Sequence, residues 1–512
     1  MRILEYIRMC TGLSRGSTAL WTDFKSLALP RLYARVLMCD DGIVSDRKRM
    51  ISEAAIVFGS WIGGQAWRRH FIWALLVFCI TCIFTIIAFV GARPCYTDCR
   101  KGGMLPDNRS IAASAGHGRL LTVKGSEIFE SGFWSLGRQE RLKRAKIAIE
   151  NLHLQDELDD LHDDGVLYRN ISRFKRSYEA MQRVFRIFVY KDGYKPLMHE
   201  GPKTGIYASE GLFIATMERG NPFAVTEPKI ATMFFIPFSL KQMVDYMYDT
   251  NSHSMKNIQS YIAGYLRRLA SKYPYMNATN GIDHFFVSCH DWALMALEKQ
   301  DCQRNIVKVV CNADSSRGFN TSRDVSLPET RVRQGKHSPI IRDTSGMDRP
   351  YLAFFAGQMH GKLRPVLLAH WKDKDPEMKI YEVLPPSVAE RISYSEHMRL
   401  SKYCICAAGF EVNSPRLVEA IVNECVPVIL ADNFVLPFSE VINWDSISVT
   451  VAEKDVANLK AILAGIPLRT YKEMQARLKH VKRHFEWKNS PEKYDIFNMI
   501  VHSLWTQQLN NV

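Results

Sequence analysis

The chain has 512 residues, 47% of them hydrophobic and 11% aromatic, which allows about two to three domains with sizeable cores. Its formal charge of +14 divides into +5 over residues 1–70 and +9 over the rest. That remainder is a mildly basic surface suited to phosphates or acidic polysaccharides, without the dense Lys/Arg stripe of a nucleic-acid binder.

Residues 1–70 show no strong period. They read as a cytosolic tail, or, if translation starts at Met50, as a tail of about 20 residues before the next element. Phe71 to Ala92 follows, 22 residues without a charge. At a rise of about 1.5 Å per residue it crosses the ~30 Å hydrocarbon core, so it is expected to be a transmembrane signal-anchor. The flanking Lys/Arg residues are nearly balanced and do not set the orientation. The sequons at Asn108, Asn170, Asn277 and Asn320 all follow the span, and a single anchor ahead of the globular mass predicts a type II protein with a lumenal catalytic region. In an oxidising lumen some of Cys95, Cys99, Cys289, Cys302, Cys311, Cys404, Cys406 and Cys425 should pair. Their connectivity is not legible, although Cys404 and Cys406, two apart on a strand, face one side and not each other.

Residues 93–175 read as a stem, rich in Gly, Ser, Pro and Arg at first. It ends in a helical stretch from Arg138 whose apolar residues include Leu142, Ile149, Leu152, Leu158 and Leu161. That helix is expected to pack on the catalytic region or to support homo- or hetero-oligomers. Strands and helices then alternate, the signature of α/β layers with parallel sheets. In an N-terminal Rossmann-like domain (176–340) the expected strands are 185–190, 230–238, 284–290 and 306–311. Helices are expected over 209–218, with Ser209 as cap, and 253–272. In a C-terminal Rossmann-like domain (341–490) strands are expected at 351–357, 378–384, 403–408 and 426–431. Helices should run through 367–371, near 395–401, from Pro415 and over 470–485. A last helix occupies the terminal segment, 491–512.

The segment GFEVNSPRLVEAI (409–421) carries the most chemistry. Ser414 suits an N-cap and Pro415 the first helical position, leaving free N–H groups for an anion. Arg416 adds a fixed charge for a pyrophosphate. Gly409 permits close backbone approach, and Glu411 and Glu419 flank the turn within reach of one nucleotide. A second glycine loop, FAGQMHGKLRP (355–365), misses the P-loop spacing, and no GxGxxG occurs. Gly357, His360 and Arg364 in it are candidate substrate contacts. DHFFVSCHDW (283–292) sets His290 and Asp291 at the carboxyl end of a buried strand, where a general base would sit. Asp373-Lys-Asp375 has the DxD form in a charged turn and reads as a solvated run, so no metal is expected. No Cys/His cluster has zinc spacing.

Together with YRNISRFKRSYEAM, the HEGP turn, VCNADSSRGF, RDVSLPET, YEVLPP, DNFVLPFSEV and KYDIFNMIVHSLW, these blocks resemble the plant-type exostosin-like glycosyltransferases over roughly 165–507. The resemblance implies a GT-B fold, two Rossmann-like domains facing a cleft, behind a single transmembrane helix and stem. It implies inverting, metal-independent transfer from a nucleotide sugar, usually UDP-linked, to a cell-wall polysaccharide or glycoprotein glycan at the Golgi membrane. No cofactor beyond that donor and no nucleic-acid partner are expected. The sequence departs from the family at Ala407-Ala408 (often Pro-Ser), Phe410 (usually Tyr), Gln358 (usually Gly) and Asn498 (usually His). A non-catalytic glycan-binding or scaffold partner of a transferase complex is the alternative reading.

Overall fold

The computed structural model describes residues 133–150, 164–297, 305–333 and 348–512. The tail, the signal-anchor and Asn108 lie outside these residues. Among the described residues no helix is long and apolar enough to cross a membrane.

Helix α1 (Arg138–Glu150) and α2 (Ile171–Val184) open the described chain. In α2, Ile171, Phe174, Tyr178, Met181 and Val184 fall at helical spacing and are buried, an apolar stripe that drives the helix onto the core. Asn170 caps it, its side chain accepting from the Arg173 N–H at 2.6 Å. α1 packs on the same body. Its Leu142, Ala145 and Ile149 share one apolar core with α2, and Arg141 donates to the Ile230 carbonyl at 3.1 Å.

The first sheet is built from β1 (Ile187–Val189), β2 (Ala224–Val225), β3 (Met233–Phe235), β4 (His284–Ser288), β5 (Val307–Val310) and β6 (Val325–Ser326). All pairings are parallel, in the order β2-β1-β3-β4-β5-β6. Burial on both faces explains why β4 is buried at every position and reads as a continuous apolar run. Helices α3 (Ala208–Arg219), α4 (Leu240–Met247) and α5 (Lys256–Lys272) belong to this half.

The second sheet comprises β7 (Tyr351–Ala356), β8 (Met378–Tyr381), β9 (Ser401–Ala407), β10 (Val426–Leu430) and β11 (Val449–Thr450), again all parallel, ordered β11-β10-β9-β7-β8. Its helices include α6 (Leu363–Trp371), α7 (Tyr394–Leu400) and α8 (Arg416–Val422). Counted along the chain, its strands lie in the order 2-1-3-4-5, the doubly wound arrangement whose switch point falls between β7 and β9. After α9 (Leu468–Val481), the closing helix α10 (Ile496–Asn510) returns to the first half. There Phe497 meets Phe213 at 5.4 Å between ring centroids and Gln508 donates to the Ile282 carbonyl.

The expected strands and helices are present, with local corrections. Three short edge strands, β2, β6 and β11, and helices α2 and α4 were not anticipated. Ser209 does not cap α3, whose N-cap position is Tyr207; the Ser209 hydroxyl donates instead to the Pro328 carbonyl. α8 begins one residue later than expected. Pro415 occupies the N-cap position with helical dihedrals, so Ser414 is not the cap residue. Among the described residues two disulfides join neighbouring elements, Cys289 to Cys311 and Cys404 to Cys425, leaving Cys406 as a buried thiol. Cys404 and Cys406 do not pair with each other, as their spacing on β9 requires.

Candidate active site

A cleft of about 500 Å³ lies at the carboxyl ends of both sheets. The second half supplies most of its lining, from the loops after β7 and β9 on either side of the switch point. These loops touch backbone to backbone. Gly361 has φ +71°, and a Cβ there would run into the Gly409 carbonyl; a Cβ on Gly409 would meet the Arg364 guanidinium. Gly357 likewise leaves room for Arg416. Glycine is required at 357 and 409 because two arginines occupy the space, and at 361 because of its φ and the Gly409 backbone.

Those arginines form the floor. Arg416 donates from Nε and Nη2 to the Ala356 carbonyl at 3.2 and 2.8 Å, and from Nη1 to the Ser414 hydroxyl at 2.9 Å. Its guanidinium lies 4.9 Å from the centre of the Phe355 ring. Arg364 is buried and donates to the Ala407 carbonyl at 3.2 Å. Burial, and then the neighbouring Arg416 charge, draw Arg364 down to about 10. Among the described residues neither guanidinium has a carboxylate in ion-pair contact; their partners are carbonyl and hydroxyl oxygens. Two like charges held this way are costly unless an anion joins them. Beside them Tyr394 donates to Glu419 at 3.2 Å. α8 adds little to the anion site, because Pro415 has no N–H and the Arg416 N–H faces the Ser414 hydroxyl at 3.4 Å.

The opposite wall comes from the first half and is mainly acidic, Asp291 and Glu329 standing with one arginine, Arg331. Asp291, just beyond β4, lines the cleft; burial raises its carboxyl, while the Tyr207 hydroxyl and His360 oppose that shift. His290 does not line the cleft. Its Nδ1 accepts the Trp292 N–H at 3.2 Å, and its ring lies against Tyr207 and Trp292. Burial, with Lys241 adding, lowers it to about 4, so it is neutral and inward-facing.

Glu411 is committed differently from the expectation of a nucleotide contact. It crosses to the first half, accepting from Asn312 Nδ2 at 2.5 Å and Arg317 Nη1 at 3.0 Å. Burial lifts it to about 7 against the pull of Arg317. Asn312 also donates to the Asp291 carbonyl at 3.0 Å, so one amide ties Asp291 to Glu411. The Cys289–Cys311 disulfide precedes both Asp291 and Asn312 in their loops. Sequence reasoning missed Glu329, a buried carboxylate in the cleft that accepts from Asn413 at 2.7 Å. Burial, with the Asp291 charge adding, pushes it up to about 8. The signal was an acidic residue ending the apolar stretch VSLPE after β6.

Glu210 was also missed. It is fully buried, accepting from Ser288 Oγ at 2.8 Å and Cys289 N at 3.0 Å, with Ser239 as a further partner. It joins α3 to the ends of β3 and β4. The DxD-like residues are elsewhere. Asp373 and Asp375 precede β8, at the end of the sheet away from the cleft, and Asp375 pairs with Lys460 at 2.5 Å. Among the described residues no group of three or more His, Cys, Asp or Glu is placed to hold a metal. Of the sequons, Asn277 and Asn320 are exposed, and Asn170 is half-buried at its helix cap.

Residues 181–466 match the family model of the exostosin GT47 domain, a span holding both sheets and every cleft residue named above. The chain belongs to the exostosin GT47 family. A probable glycosyltransferase of Arabidopsis thaliana is 42% identical over 72% of this chain and 71% of its own length. More distant is a probable beta-1,4-xylosyltransferase of the same plant, 28% identical over 60% of this chain and 78% of that one. A probable glucuronosyltransferase of Oryza sativa subsp. japonica is 28% identical over 58% and 74%. This exostosin GT47 chain is therefore a glycosyltransferase.

Proposed function

We propose that the chain is an inverting, metal-independent GT-B glycosyltransferase that moves a sugar from a UDP-linked donor to a cell-wall polysaccharide or glycoprotein glycan. The observation that carries this reading is the Arg364–Arg416 pair, one buried and one half-buried guanidinium at a sheet switch point, with no carboxylate in ion-pair contact among the described residues. A diphosphate satisfies them, and Glu419 beside Tyr394 accepts from the ribose hydroxyls.

Transfer is a single displacement. The acceptor hydroxyl oxygen bonds to the anomeric carbon as the bond to the diphosphate oxygen breaks, with inversion. Asp291 takes the hydroxyl proton, and the leaving charge develops against Arg364 and Arg416, whose positions are set before the reaction. Xylosyl- and glucuronosyltransferase relatives make UDP-xylose and UDP-glucuronate the first donors to test. The 22-residue apolar segment, a single anchor ahead of the whole globular mass, supports a type II Golgi membrane protein with this cleft in the lumen.

The test is a panel of UDP-sugars incubated with the purified chain in the presence of a chelator, scored for UDP release with and without cell-wall oligosaccharides. The expected result is release from one donor, accelerated by one acceptor and insensitive to the chelator. UDP binding without release from any donor points to the scaffold reading, and absence of UDP binding overturns the proposal.

A further inference from the structure

We infer that Phe410, backed by His360, is the platform on which the acceptor saccharide lays a sugar ring. This rests on the transferase reading above and adds where the acceptor lies.

Phe410 is 65% exposed on the rim of the cleft, in the loop after β9. His360, from the loop after β7, stacks on it with ring centroids 5.0 Å apart and planes 22° apart. The two loops hold each other through the close approach of Gly361 to the Gly409 carbonyl. The pair is thus presented by a locked double turn and not by a free surface loop. An exposed phenyl ring contributes little to folding, and a rigid one on the rim of a ligand cleft marks a recognition surface. Val383, 63% exposed, extends the apolar rim.

The chemistry suits a pyranose. Its ring presents a face of C–H groups to the electron-rich face of an aromatic ring, while diphosphate and ribose call for cations and carboxylates. The location favours the acceptor over the nucleobase. Glu411, next to Phe410, reaches Asn312 and Arg317 of the first half. His360 lies close enough to Asp291 for its charge to act on that carboxyl. The platform therefore lies on the side of the cleft that faces Asp291. Glu419, assigned to the ribose, pairs with Tyr394 of its own half.

The experiment uses the detergent-solubilised full chain, saturated with UDP. It is titrated with xylan, xyloglucan, galactan, arabinan and mannan oligosaccharides, and UDP affinity is measured separately by calorimetry. We expect one oligosaccharide class to bind the wild type, and Phe410→Ala to weaken it at least tenfold while UDP affinity stays within twofold. Phe410→Tyr and Phe410→Trp should restore saccharide binding to within threefold. Loss of UDP affinity in Phe410→Ala with saccharide binding intact makes the ring a nucleobase stack and overturns the inference. Unchanged saccharide binding in Phe410→Ala, or no saccharide binding by the UDP-loaded wild type, also overturns it. Failure of the wild type to bind UDP sinks the transferase reading itself, a separate result.

Discussion

The two halves share a topology and differ in what they place at it. Both sheets are parallel and start with the strand order 2-1-3-4-5, so both have a switch point between their first and third strands. In the second half that point is open and carries Arg364 and Arg416. In the first half the loop after β1 closes over it. His199 bonds Glu218 and the Asp192 carbonyl at 2.8 and 3.0 Å, and Tyr265 donates to Asp192 as well. The first half therefore meets the cleft through its later strands, with Asp291 after β4 and Glu329 after β6. Topology offers a ligand site in each half, and side chains decide which is used. The result is a cationic floor facing an acidic wall, which the proposed function uses as one side for a leaving diphosphate and the other for an attacking hydroxyl.

The sharpest way to break this division of labour is on the acidic wall. Asp291→Asn should lower kcat for transfer by about 10²–10⁴-fold while leaving UDP affinity unchanged in a calorimetric titration. His290→Gln should cost less than tenfold, because that ring caps its own loop. If His290→Gln is the more damaging of the two, the wall has been assigned to the wrong residue.

The contact between the halves comes next. Glu411→Ala takes an acceptor from the buried Asn312 amide and an ion pair from the exposed Arg317, and leaving a buried donor such as Asn312 without its partner costs about 1–3 kcal/mol. Transfer should fall by about tenfold to a hundredfold, with secondary structure unchanged by circular dichroism. An equal effect from Arg317→Ala and no further loss in the double variant would show that the contact acts as a unit.

A smaller effect is expected on stability against pH. Glu329 and Glu411 are raised from 4.5 to about 8 and about 7, each first by burial. The folded state then binds more protons than the unfolded one, so these groups' contribution is complete below pH 4.5 and is lost as pH rises through 7 and 8. Melting temperature should decline across that window, and Glu329→Gln should flatten the decline. A variant with the wild-type slope would contradict the burial of that carboxyl as an acid.

The mildest perturbation is the Cys289–Cys311 disulfide, which is fully buried and sits just before Asp291 and Asn312. Replacing both cysteines with alanine should lower the melting temperature and reduce kcat a few-fold through misplacement of Asp291, with UDP affinity retained. Loss of UDP affinity in that variant would mean that the two sides of the cleft are not separable.

The sequence carried much of this division, unevenly. Long apolar runs such as YLAFFA and VPVIL became buried strands within a residue or two, because burial on both faces leaves little choice of period. Edge strands of two residues, Ala224–Val225 and Val325–Ser326, had no periodic signal to read. In the site, Arg416, Glu419, Gly409, Gly357, Arg364 and Asp291 were legible because glycine turns after strands and charges at strand ends have few structural uses. Glu329 was hidden, since its role depends on Asn413, 84 residues away in sequence. Glu411 was legible as a site residue, but its partner was not. Arg317 and Asn312 approach it only once the two halves are folded together, which no local pattern encodes. Ser414 was misassigned as a cap because the following proline fits either of two adjacent helix positions.

The central claim is that the donor diphosphate rests on the two guanidiniums at the second sheet's switch point. It is tested most directly by calorimetric titration of UDP into the wild type and Arg416→Ala, with chelator present. The account predicts saturable one-to-one binding to the wild type, and affinity at least a hundredfold weaker in a variant that melts within a few degrees of it. Wild-type affinity in Arg416→Ala would contradict it.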